Sequence, residues 1–84
     1  MQPAHTPTIF DEVTDFLAEG PSAELISTYI PSATLIARAQ ELLERRRDNL
    51  LTSDERAEMD EFIRMEHFMT MLKLKARLKL SGKV

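Results

Sequence analysis

TSDERAEMDEFIRMEHFMTMLKLKARLKL, the stretch from Thr52 to Leu80, contains neither Gly nor Pro and is built mostly of strong helix formers. It opens with Thr52-Ser53-Asp54-Glu55, a capping box in which the Thr hydroxyl and the Glu carboxylate satisfy otherwise orphaned backbone N–H groups. These signals predict one helix over about 52–80. At ~1.5 Å per residue such a helix is roughly 42 Å long. A compact chain of 84 residues is only about 30 Å across. The helix is therefore expected to overhang its own domain.

Its apolar residues fall into two regimes. Met59, Phe62 and Ile63 make a single stripe on a helical wheel. From Met65 onward, Met65, Phe68, Met69, Met71, Leu72 and Leu74 spread around most of the circumference. A helix apolar all round is one buried all round. Three shorter helices can cover only one side, so a second copy or another protein is expected against the other. Phe62, Met65, Phe68, Met69 and Leu72 are the candidate partner or dimer surface. Met59, Met65, Met69 and Met71 suit either an adaptable docking face or ordinary core filling, since the thioether is flexible and polarisable.

Upstream, the chain reads as three shorter helices. Residues 1–7 carry two Pro and little to bury, and are expected to be a flexible tail. A helix over about 8–19 starts at Thr8, paired with Asp11, and places Ile9, Phe10, Val13, Phe16 and Leu17 on one stripe, with Asp11, Glu12, Asp15 and Glu19 outward. Gly20-Pro21 ends it. Ser22 caps a second helix over about 22–30, stopped by Pro31. Ser32 caps a third over about 32–48, with Leu35, Ile36, Ala39, Leu42 and Leu43 at helical spacing and Asn49 as a left-handed terminator. The short link to Thr52 predicts an antiparallel hairpin between the last two helices. The fold expected is all-α: one domain over 8–80, with a flexible end at 81–84. Leu72 to Leu80 alternates apolar and basic with a strand-like period, but has no β-branched or aromatic residue, and helix is the reading adopted.

Charge is distributed unevenly. All 14 acids lie in residues 1–71, against six Arg, for a balance of −8; residues 72–84 carry five cations and no acid, which brings the total to −3. Cations near a helix C-terminus complement its macrodipole. Lys73, Lys75, Arg77 and Lys79 are also candidate nucleic-acid contacts, although on a helix they spread over most of the circumference. With no Cys, a disulfide scaffold and thiolate metal sites are excluded. No Gly-flanked Ser and no Gly-rich phosphate loop occurs. His67 has Ile63, Arg64, Thr70 and Met71 as same-face neighbours, none of them a metal ligand. No catalytic residue, metal or cofactor is expected, and no apolar run approaches the ~20 residues of a membrane span.

Several strings resemble a group of short bacterial antitoxin-like proteins encoded beside a toxin or nuclease partner. They are Phe10-Asp11-Glu12, Pro31-Ser32, Glu41-Leu42-Leu43-Glu44, Leu51 to Glu61, Arg64-Met65-Glu66-His67 and Leu72 to Arg77. The resemblance implies a cytoplasmic helical protein that binds and restrains a partner. The acidic body suits steering toward a basic, nuclease-type protein. The expected function is thus a non-enzymatic binding module, homodimeric through its last helix. The alternative is a dimeric nucleic-acid-binding transcriptional regulator using the basic C-terminal segment.

Overall fold

A computed structural model describes residues 8–82, and among these there are four helices and no strand. They are α1 (Ile9–Ala18), α2 (Ala23–Ser27), α3 (Ala33–Arg47) and α4 (Ser53–Leu80). The expected tail at 1–7 lies outside the described residues, as do the last two residues of the expected flexible end. Of that end, Ser81 caps α4 and Gly82 follows it at φ 73°.

Every start is set by a side-chain cap. Thr8 and Asp11 form a reciprocal box at 3.0 and 3.1 Å, and Thr52 and Glu55 form another at 3.1 Å in both directions. The Ser22 and Ser32 hydroxyls accept from the N–H groups of Leu25 and Leu35. The α3 terminus is a Schellman motif: Asn49 sits at φ 59°, its N–H donates to Arg46 O, and Leu50 N–H donates to Arg45 O at 2.8 Å. Gly20 takes φ 67° after α1, and Pro21, lacking an N–H, cannot complete the same motif there.

α2 is shorter than expected, ending at Ser27 instead of residue 30. The Ser27 and Thr28 hydroxyls both donate back to Glu24 O, competing with the helical ladder, and Pro31 biases Ile30 away from helical angles. The apolar–basic segment at 72–80 is helix throughout.

α3 and α4 run antiparallel, tied by Arg38 to Glu58 and by Arg45 to Glu55. Ile9 and Val13 of α1, Leu35 of α3 and Met69 of α4 form the central buried cluster, with Phe16, Leu17, Tyr29, Phe62, Met65 and Leu72 packed around it. Leu42 and Met59 are buried outside that cluster. α2 packs closely on α4. There Ala76 is buried, its short side chain permitting close approach, and Arg77 donates to Ser27 O at 3.5 Å.

The molecule is open and flat. Its radius of gyration is 15.1 Å, against about 12 Å for a compact chain of this length. The extents of 46 × 37 × 18 Å describe a slab as long as α4 and thin across it. Among the described residues, α4 is covered along one side only.

Candidate interaction surface

The sides of α3 divide the slab chemically. Ile36, Ala39, Gln40 and Leu43 face one cleft, whereas Thr34, Ala37, Arg38 and Glu41, half a turn away, face another. The first cleft, about 430 Å³, has its second wall in α4, from Met59 through Ile63, Glu66 and Thr70 to Lys73, with Val13, Leu35 and Met69 at its floor. Leu43 is 50% exposed, Ile36 and Ile63 39% each, so this trough shows apolar side chains to solvent. The opposite face is laced with charge. Arg38 Nε and Nη2 donate to the two Glu58 oxygens at 2.8 Å each, and Nη1 donates to Glu41 at 2.6 Å. Arg45 joins Glu55 at 3.1 Å and Glu41 at 3.5 Å.

This network joins the two helices: Glu55, Glu58 and Arg45 all help hold α3 to α4. Glu12, expected to face outward, accepts from Tyr29 Oη at 3.0 Å and from Ser32 N–H at 2.9 Å, and so ties α1 to the α2–α3 junction. The signal for Glu12 was faint: it is four residues before Phe16, whose ring lies 4.6 Å from that of Tyr29.

Hydrogen bonding moves the titration of these groups. Burial raises the Glu12 pKa, but donation from Ser32 and Tyr29 outweighs it, leaving the carboxyl below its ordinary 4.5. The Glu41 carboxyl is lowered by its hydrogen bond from Arg38. That of Glu55 is lowered by the Thr52 N–H and then by Arg45 and Arg38. Burial and the Glu12 carboxylate push Tyr29 up to about 12. Carboxyls with depressed folded pKa values contribute stability that is complete above the unfolded value and lost as pH falls through the folded one. The urea midpoint should therefore hold from pH 7 to 5 and fall below roughly pH 4.5. Glu12→Gln should flatten part of that fall and cost about 1 kcal/mol at neutral pH. An acid limb unchanged by Glu12→Gln would refute the assignment.

The residues expected to form a docking face are divided. Met69 is only 6% exposed and belongs to the chain's own core, and Phe62, Met65 and Leu72 pack beside it. Phe68 alone of the five is exposed, at 48%. Apart from Phe68 and Leu80, the exposed large apolar residues of α4 are Ile63, Met71, Leu74 and Leu78, between 38% and 54% exposed and on the side away from Met69. Of the four candidate nucleic-acid contacts, Lys73 is half-buried at the α3/α4 cleft and Arg77 is engaged with Ser27. Lys75 and Lys79 are exposed one turn apart. The structure does not bring the four together.

Among the described residues, no cluster of three or more His, Cys, Asp or Glu is disposed to hold a metal, and no helix is long and apolar enough to cross a membrane. The chain matches no family model, no curated protein and no solved structure.

Proposed function

We propose that this chain is a non-catalytic, antitoxin-like binding module that, as a cytoplasmic homodimer, captures and restrains a basic, nuclease-type protein. The observation that carries this reading is the α3/α4 cleft, an apolar trough with two helical walls, opposite a face already saturated with internal ion pairs. A partner helix with apolar residues at i, i+3 or i+4, and i+7 suits such a trough. The excess of eight negative charges over residues 1–71 favours encounter with a basic protein. The alternative, a dimeric nucleic-acid-binding regulator, retains Lys75 and Lys79 as its free cations on α4.

The test is co-expression with the product of the neighbouring reading frame. The partner should be toxic alone, harmless beside this chain, and co-purify with it. Ile36→Asp combined with Leu43→Asp should weaken the complex by at least ~100-fold, since each puts a carboxylate into an apolar contact. Helicity should survive, because both side chains are already exposed, Ile36 by 39% and Leu43 by 50%. A neighbour that is harmless alone and does not co-purify ends the proposal.

A further inference from the structure

The lining of the α3/α4 cleft holds two charged residues, Glu66 and Lys73, both on its α4 wall. Being seven residues apart, they stand within about 20° of each other around the helix and roughly 10 Å apart along it. Glu66 is exposed and Lys73 half-buried. Neither has an ion-pair partner among the described residues, in contrast to Arg38, Glu41 and Glu58 on the opposite face. In the open cleft water solvates both charges. An occupant that fills the trough displaces that water, and the two charges then weaken its binding unless it brings a partner for each.

We infer that the occupant is a helix carrying a base and an acid seven residues apart, the base set against Glu66 and the acid against Lys73, beside the apolar residues that enter the trough. The inference rests on the cleft as the docking site proposed above and specifies what that site selects. The spacing itself requires a helix. Side chains on one face of a strand recur at roughly 6.6 and 13 Å, and those about 10 Å apart point to opposite faces. A single-headed amphiphile answers only one of the two charges. The length is sufficient, since α4 rises about 21 Å, or four turns, between Met59 and Lys73 at the ends of the α4 wall. The acidic body draws basic proteins in general, whereas Lys73 turns away a helix that is basic throughout. A basic partner is thus admitted by the acid its docking helix contains.

The probes are two synthetic peptides held helical by a staple on the far side, each with Leu at i, i+4 and i+7. They differ only in whether the flanking pair reads Lys then Glu or Glu then Lys. By fluorescence anisotropy against the full chain, one order should bind at least ~10-fold tighter than the other. Glu66→Lys combined with Lys73→Glu should hand the advantage to the other order, with helicity unchanged. The milder pair Glu66→Gln and Lys73→Met should erase the preference without abolishing binding. Failure of both peptides to bind, equal affinity for the two orders, or a preference that survives the exchange would each overturn the inference. So would tighter binding of a Lys–Lys peptide, or a self-association of the chain that the exchange disrupts, which would make the occupant a second copy. Capture of the neighbouring gene product that is lost with Ile36→Asp and Leu43→Asp but indifferent to the exchange would refute this inference and leave the cleft as the capture site. A preference that reverses as expected, with no neighbour captured, would support it and count against the antitoxin-like reading alone.

Discussion

Leu42→Ala is expected to lower the unfolding free energy by about 3 kcal/mol, while Leu43→Ala, one residue on, stays within roughly 0.5 kcal/mol. Among the described residues Leu42 and Val13 are wholly removed from solvent, whereas half of Leu43 is exposed. Truncating Leu42 loses its transfer free energy and leaves a void between helices that cannot fully collapse, because Arg38 and Arg45 pin α3 to Glu58 and Glu55 on either side. The loss is large against the total. A chain of this size has about 4–12 kcal/mol to lose, and seven buried apolar residues among those described place this one at the lower end. Urea melts followed by circular dichroism should show the Leu42→Ala midpoint displaced by 1 M or more, at the ~1–2 kcal/mol per M expected for a small domain. Equal midpoints for the two variants would mean that α3 does not present Leu42 inward.

The helices were legible because their punctuation is local. Thr8, Ser22, Ser32 and Thr52 each satisfy N–H groups within the next three residues, and Gly20 and Asn49 each need only their own backbone angles. Such signals are complete in a window of four or five residues. The end of α2 was harder to read because two hydroxyls compete for one carbonyl, a balance that spacing does not reveal.

The partners of charged residues were not legible, for the opposite reason. Whether Glu58 is solvated or bidentate on Arg38 depends on the register of α3 against α4, a relation twenty residues apart in sequence. Glu12 is the same case: its acceptors' donors, Tyr29 and Ser32, are brought to it by two intervening turns. The uneven charge of α4 was visible in the sequence, but which of its cations remain free was not. Arg77 is turned toward Ser27 by the packing of α2, which leaves Lys75 and Lys79 on the outside.

The apolar residues of α4 divide between a buried inner side and an exposed outer one, and a pair of charge insertions tests that division. Met69→Lys should cost at least ~4 kcal/mol and leave the chain largely unfolded, since an unpaired ammonium would enter a site closed by Ile9, Val13 and Leu35. Met71→Lys, two residues on, should leave the fold within about 0.5 kcal/mol, because that side chain is 54% exposed. The contrast arises because two residues advance a helix by about 200°, from its inner side to its outer one. Far-ultraviolet circular dichroism at 1 µM separates the two outcomes while keeping association low. If both variants fold, Met69 is not part of the core, and the distinction between a buried inner side and an exposed outer one does not hold.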